Sequence, residues 1–403
     1  MSGEQDLGIT ESKAQDPGDW YAEVVRKAGL AAYAPMGGFI VTRPRGYAVW
    51  ERIRGHLDRW FKDTGVDNAY FPMFIPEGYL EREKDVVEGF DPEVAWVTHG
   101  GHDELDERLY EEVMAIPAVT GRKPDHDKFP GADTTTTVEA LMPDGKSVQG
   151  CTSHYLGTSF AEAFDITYTD EDEAEHAAHT TSWGLSWRAM GALIMTHSDD
   201  QGLVLPPALA PTQVVVVPIW QSDTAEAVTE YAADLAADLD GEYRVDLDDR
   251  DERNPGFKFN EHELNGVPLR VEVGPNEVED GAATLVHRPD GESEVVEREA
   301  IGESVGEALD TVHAKLYADA ESHLEDNVRE AHGRGEILGT IGKHGGYVET
   351  GWCGAEACDD EIKDEIAAEI VMLPLEEDEE PVHETCGVCG EEAVETAYFA
   401  KSY

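Results

Sequence analysis

The 403-residue sequence predicts an α+β domain on an antiparallel sheet, then a smaller α/β domain, then a small C-terminal α/β domain that closes on cysteines. Three observations carry this reading. Residues 1–203 combine an apolar-striped helix with β-branched, alternating strands divided by turn signals. At residue 203 a Pro-rich stretch begins, followed by a continuous apolar strand of the buried, parallel kind. Four of the five cysteines gather into two short pairs between residues 353 and 389. A chain of this length has room for two or three cored domains.

The elements follow in order. Residues 1–20 are polar and expected to fray. Within 37–65, Trp50, Ile53, Leu57, Trp60 and Phe61 recur at helical spacing, and Gly65 stops the helix. VDNAYFPMFIP (66–76) reads as a buried strand interrupted by Pro72 and Pro76, hence an edge or an irregular pairing. DTTTTVEALM, the turn PDG and KSVQGCTSHYLG form a hairpin. TTSWGLSWRAMGALIMTHSDDQG (180–202) is a strand entering an apolar helix, with Arg188 near the junction. LVLPPALAPTQ is then a Pro-rich linker and TQVVVVPIW a buried strand. The next helix has Asp223 and Glu226 as a cap pair and Val228, Tyr231, Leu235 and Leu239 on one stripe. PLRVEVGP and AATLVHRPDGESEVVER supply further strands, so 212–300 forms its own α/β domain. A long helix opens the last region.

The charge is extreme: 86 acidic residues against 30 basic, net −56, spread along the chain. Such a surface repels itself at low ionic strength. In molar salt the Debye length falls to about 3 Å and the repulsion largely vanishes. The composition therefore reads as adaptation to a salt-rich cytoplasm. No charged-then-apolar leader and no apolar run of membrane length is found, so a cytoplasmic location without a membrane is expected. The net charge argues against a nucleic-acid partner. If the acid serves solvation, local Arg and Lys decide that question instead.

Cys353 and Cys358 form C-x4-C, and Cys386 and Cys389 form C-x2-C. Two such pairs brought together assemble a tetrahedral thiolate zinc site. Two disulfides or four free thiols are the alternatives, and disulfides need an oxidising compartment. A four-thiolate site has no open position for water, so its role is structural. Cys151 stands apart and reads as a buried apolar thiol.

Thr152-Ser153-His154 does not make a hydrolase triad: neighbours on a strand face opposite ways, and no G-x-S-x-G elbow is present. Thr152 and His154 share a face, and a bulge at Gly150 would bring Gln149 to it. A polar strand facing a cleft and a surface strand with scattered polar residues are equally open readings.

Together these segments resemble the prolyl-tRNA synthetases of the archaeal and eukaryotic type, a class II family, over nearly the whole chain. GYAVWERIRGHLDRWFKDTGVDNAYFPMFIP is similar to class II motif 1, with Pro72 as its proline. VQGCTSHYLGTSFAEAFDI is similar to the family's TSH segment and SWGLSWRAMGALIMTHSDDQGLVLPP to motif 3. TQVVVVPI through GVPLRVEVGPNEVEDGAATLVHR is similar to the anticodon-binding domain, and the tail ending YFAKSY to the closing zinc domain. The resemblance implies an incomplete class II synthetase-like catalytic domain over 1–203, an anticodon-binding domain over 204–300 and a zinc-binding domain over 301–403. It implies attachment of L-proline to tRNA(Pro) through prolyl-adenylate, with ATP, Mg²⁺ and structural Zn²⁺, by a homodimer built on motif 1. By the same resemblance Gln149 and Thr152 face the adenosine and His154 lines the prolyl-adenylate pocket. Arg188, with Ser186 beside it, meets the ATP triphosphate, so Arg188 and His154 are the catalytic candidates. An arginine there suits an anionic transition state, and Mg²⁺ favours phosphate oxygens. Lys258, Arg270 and Arg288 are candidates for the anticodon and read equally as solvated charges.

The resemblance breaks near Tyr110-Glu111. The family carries there a proline-binding arginine-proline-threonine-serine-glutamate stretch, motif 2 with its α-phosphate arginine, and a tryptophan-x-glutamate-x-histidine element. None of these occurs in the chain. Little or no aminoacylation is therefore expected. Three readings stand: a synthetase lacking that segment, a non-catalytic relative that binds tRNA or a partner through 212–403, and an unrelated acidic zinc-bearing scaffold.

Overall fold

A computed structural model describes residues 8–34, 40–69, 108–375 and 380–403. Along the chain come α1 (Pro17–Lys27), β1 (Ala31–Tyr33), β2 (Ile40–Thr42), α2 (Pro44–Asp63), β3 (Val119–Arg122), β4 (Thr134–Leu141), β5 (Ser147–Tyr155) and α3 (Ser159–Phe164). Then follow β6 (Thr167–Thr169), β7 (Glu175–Ala177), β8 (Thr181–Leu185), α4 (Arg188–His197), β9 (Val214–Pro218), α5 (Ala225–Leu239), β10 (Val245–Leu247) and α6 (Pro255–Leu264). The remainder is β11 (Leu269–Val273), α7 (Pro275–Asp280), β12 (Ala282–His287), β13 (Ser293–Glu297), α8 (Ile301–Glu325), β14 (Val328–Glu330), α9 (Arg334–His344), β15 (Tyr347–Trp352), α10 (Glu356–Ile366), β16 (Glu369–Met372) and β17 (Glu395–Ala400). Contacts group these into two compact units, one of residues 1–56, 108–117 and 193–322, the other of residues 57–107, 118–192 and 323–403.

In the first unit a five-stranded sheet runs β10-β9-β11-β12-β13, with β9 parallel to β10 and β11 and the rest antiparallel. The VVVV run explains its central place. Val214 and Val216 pack into a core with Val228, Leu235 and Leu239 of α5 and Ile301 and Val305 of α8. Val215 and Val217 face the other way, toward Val267 and Phe259. A strand covered on both faces gains from apolar residues at every position, each worth about 1.5–3 kcal/mol when fully buried.

Two expectations for this unit need correcting. The stretch from Leu203, read as a Pro-rich linker, is packed into the protein: Leu203, Val204, Leu205, Leu209 and Ala210 are buried. Arg244 satisfies its backbone by donating to the carbonyls of Pro207, Ala208 and Ala210. Prolines, having no N–H, leave only acceptors to satisfy, and one guanidinium serves three of them. The cap of α5 is Thr224, whose hydroxyl bonds Gln221 rather than the helix, so the Asp223–Glu226 pair does not form.

The second unit holds the antiparallel sheet β3-β4-β5-β8 and the sheet β14-β15-β17-β16. The PDG turn joins β4 to β5, with Gly145 at φ +78 and Met142 N–H bonded to the Lys146 carbonyl at 2.8 Å. Beyond β3, Arg122 and Leu373 exchange backbone hydrogen bonds at 2.8 and 2.9 Å. A Cβ on Gly121 would overlap the Leu373 carbonyl oxygen, so only glycine allows this approach. Between the sheets lies buried Glu139, which accepts from Thr137 at 2.9 Å and Ser147 at 2.7 Å and has Lys123 at 3.5 Å. Ser147 in turn bonds the Tyr347 hydroxyl at 2.9 Å. Burial pushes the Glu139 carboxyl up, with Lys123 and the hydroxyls opposing. The helix read over 37–65 is α2, with Val49, Ile53 and Leu57 buried. Of the strand read over 66–76, residues 66–69 have no regular structure, and Tyr70 to Pro76, with Pro72, lie outside the described residues.

Candidate functional site

The site begins with an irregularity in β5. Val138 pairs with Cys151 but Glu139 pairs with Gln149, so Gly150 is an extra residue and β5 bulges there. The bulge resets the alternation of faces. Gln149 then reaches Arg188, its Oε1 accepting from Nη2 at 3.4 Å. Thr152 and His154 meet on one face, with Oγ1 3.2 Å from Nε2. Thr152 is opposite Gly184 of β8, where the absent side chain leaves its hydroxyl room.

His154 is held on several sides. Its Nδ1 is 2.9 Å from the Thr135 hydroxyl and its ring 4.7 Å from that of Phe129. The Phe129 N–H donates to the same Thr135 oxygen at 3.1 Å. Thr135 and Thr152 thus contact the two ring nitrogens of His154, one on each side, and fix the orientation of the imidazole. Burial holds this histidine down at about 4, so it is neutral at physiological pH. Cys151, on the same strand, is a buried thiol that burial pushes up to about 12, with no nucleophilic character.

Arg188 opens α4 and is exposed. Its backbone N–H and its Nε both donate to the Ser186 hydroxyl, at 3.2 and 3.3 Å. Among the described residues no carboxylate lies within ion-pair distance of it. A guanidinium at the start of a helix, bonded only to neutral oxygens, adds its charge to the positive end of the helix dipole, an arrangement that favours an anion. The structure thus brings Gln149 to Arg188 and Ser186 at the β8–α4 junction, and Thr152 to His154 further along β5.

The four tail cysteines also converge. Their sulfurs lie within 4.8 Å of one another, with Cys353–Cys358 and Cys389–Cys353 at 3.6 Å and Cys386–Cys358 at 4.0 Å. A disulfide needs about 2.05 Å. Four sulfurs about 2.3 Å from a central ion stand roughly 3.8 Å apart, which is the spacing found here. Burial raises the Cys386 thiol, but the N–H groups of Cys389, Val388 and Cys353 outweigh it and hold it down at about 7. The donor set fits a thiophilic tetrahedral ion.

The three candidate anticodon cations are engaged within their own unit. Lys258 is buried, donating to the Asp248 carbonyl at 2.9 Å with Trp220 4.9 Å away. Arg288 is buried, gripping Asp199 at 2.7 and 2.8 Å. Arg270 bonds Glu263 and Glu272, each at 2.9 Å. Each is therefore paired within the protein rather than simply solvated. A single sequence carried no signal for this, since each partner is distant in the chain or two residues away on a strand.

Comparison with known proteins names the class first. Residues 213–307 match the family described as "Anticodon binding domain" and residues 335–403 the one described as "Prolyl-tRNA synthetase, C-terminal". An anticodon-binding domain joined to such a C-terminal domain defines an aminoacyl-tRNA synthetase. The chain is 68% identical over 480 aligned positions to the proline–tRNA ligase of Natronomonas pharaonis, covering 99% of this chain and 100% of the relative. It is 64% identical to that of Haloarcula marismortui, covering 100% of both. The chain therefore belongs to the prolyl-tRNA synthetase family and is a proline–tRNA ligase by family. Its fold matches the crystal structure of prolyl-tRNA synthetase from Cryptosporidium parvum complexed with halofuginone and AMPPNP: TM-score 0.89, 29% identity, 98% of this chain and 100% of that one.

Proposed function

We propose that this chain binds ATP and prolyl-adenylate on the β5–β8 face but turns proline over into prolyl-tRNA(Pro) poorly or not at all. The observation that carries the first half is Arg188, exposed, bonded only to Ser186 and Gln149, and paired with no carboxylate among the described residues. In this role Arg188 and Ser186 meet the phosphates, where an anionic transition state develops, and Mg²⁺ arrives with the ATP. Gln149 and Thr152 bond the adenosine. His154, neutral and oriented by Thr135, lines the proline side. Three observations support the second half. The motif 2 arginine and the proline-holding stretch are absent from the chain. The match to the Natronomonas pharaonis relative runs over 480 positions against 403 residues here. At the inferred junction, Leu109–Val113 form one π-helical turn, followed by Ala115 at φ +54. Single π turns and left-handed non-glycine residues are irregular, strained backbone, and here they fall where the family pattern breaks.

The four cysteines hold Zn²⁺ in a closed structural site. We divide the chain at 203 and 300 into catalytic, anticodon-binding and zinc-binding parts. It works as a homodimer, through motif 1, in a salt-rich cytoplasm. The second reading is a non-catalytic relative that binds tRNA or a partner through 212–403; the anticodon-type core and the cysteine cluster favour it. ATP–pyrophosphate exchange with proline, beside AMPPNP calorimetry in concentrated KCl, tests the proposal. Expected is AMPPNP binding with exchange lowered about 10²–10⁵-fold against a relative with motif 2. Normal exchange overturns the inactivity; absent nucleotide binding overturns the site and leaves the second reading.

A further inference from the structure

Beside the cysteine cluster the same unit holds a second convergence of metal-binding side chains. Glu330 ends β14, His332 lies two residues on, and His383 comes from the segment leading into Cys386. One ligand atom from each lies within 4.8 Å of the others, and His383 Nε2 is 3.9 Å from Glu330 Oε2. The two imidazole rings have centroids 4.0 Å apart. We propose that Glu330, His332 and His383 form a second divalent-metal site, distinct from the four-cysteine centre and independent of the ligase reading.

The first argument is an orphan. His383 Nε2 is buried without a hydrogen-bond partner among the described residues. Buried polar atoms normally have one, because leaving one unmet is costly. Glu330 is too distant to bond it directly, yet well placed to share an ion with it. The second argument is preorganisation. The Val382 N–H donates to Thr396 Oγ1 at 2.9 Å, and the Ala393 N–H to the Glu384 carbonyl at 3.0 Å, so the backbone on both sides of His383 is fixed. Gly351 of β15 passes so close that a Cβ there would overlap the His383 carbonyl. His332 is likewise anchored, its N–H donating to Glu336 at 2.9 Å. Glu330, with 59% of its side chain exposed, has room to close the remaining distance.

The donor set selects the ion. Two imidazoles and one carboxylate suit Zn²⁺, Co²⁺ or Ni²⁺ rather than Mg²⁺ or Ca²⁺, which take oxygen alone. Bonds of about 2.0–2.2 Å would draw the donors together. Three protein ligands leave at least one position for water, unlike the closed thiolate centre. A metal here would tie the chain before Cys386 to the end of β14.

The test uses the full chain in concentrated KCl, where surface carboxylates are screened. Cobalt is added stepwise to metal-free protein. The first equivalent is expected to give the intense thiolate charge-transfer band of the cysteine centre. The second is expected to give only the weak bands of nitrogen and oxygen ligation, and His332→Ala/His383→Ala should lose it while keeping the first. Retention of the first band reports that the variant's cysteine centre is intact. Should that variant not fold, X-ray absorption of wild-type protein loaded with two zinc equivalents decides, because a site with histidine shows imidazole scattering. Saturation at one equivalent, a second equivalent that survives the double substitution, or a loaded spectrum without imidazole overturns the proposal.

Discussion

Arg188 shows how a single side chain singles out a candidate site. Several described guanidiniums find carboxylates: Arg122 meets Glu395, Arg250 meets Asp248 and Glu261, Arg298 meets Asp238. Arg188 bonds only Ser186 and Gln149, and the proposed site gives its charge to the ATP phosphates. Arg188→Ala is expected to weaken AMPPNP binding on the order of a hundredfold, measured by calorimetry, with thermal unfolding unchanged. His154 and His197 make a different prediction. Burial holds each down at about 4, against 6.5 when unfolded, and His197 Nε2 donates to the Met114 carbonyl at 2.8 Å. Between those values the unfolded chain binds more protons than the folded one. Stability therefore rises with pH from 4 to 6.5 and is lost as pH falls through that window. The melting temperature should drop between pH 7 and pH 5, and less so in His197→Asn; equal slopes would rule out His197 as a contributor.

At the scale of elements, close approaches and buried pairs hold pieces that are distant in sequence. The Gly121 approach to Leu373 joins β3 to the chain after β16. Gly121→Ala should disturb that pairing and cost about 1–3 kcal/mol, read from denaturant midpoints. The Arg288–Asp199 pair ties the end of β12 to the turn after α4. Arg288→Ala should cost roughly 3 kcal/mol, the low end for a buried pair because Asp199 is 39% exposed. A loss below about 0.5 kcal/mol would mean that the exposed carboxylate had relaxed into water. The β5 bulge belongs here too: Gly150 was readable as a place where faces could reset, but only the pairing of Glu139 with Gln149 establishes it.

The whole molecule is governed by its charge. With 86 acidic and 30 basic residues, folding at low ionic strength works against strong self-repulsion. The melting temperature is expected to climb steeply between about 0.1 M and 3 M KCl, as the Debye length shrinks from about 10 Å to less than 3 Å. A flat curve would show that the acidic surface is not tuned to salt. Much of the architecture was legible because periodicity is local: the helix around Ile53, the VVVV strand, the PDG turn and the cysteine pairs all appeared where their spacing put them. The burial of Lys258, Arg288 and the stretch from Leu203 was not legible, because the partners that bury them come from elsewhere in the chain.

By itself the sequence determined several of the main elements, among them α2, the β4–β5 hairpin, β9 and α5, together with the two cysteine pairs and the family, since each depends on residue type and spacing alone. Only the tertiary structure decided which charges remain available. It closed Lys258, Arg270 and Arg288 into internal pairs, left Arg188 open beside Gln149, and set His383 facing Glu330 and His332. A charge is silenced or exposed by whatever folds against it, and that neighbour is chosen by long-range packing rather than by local pattern.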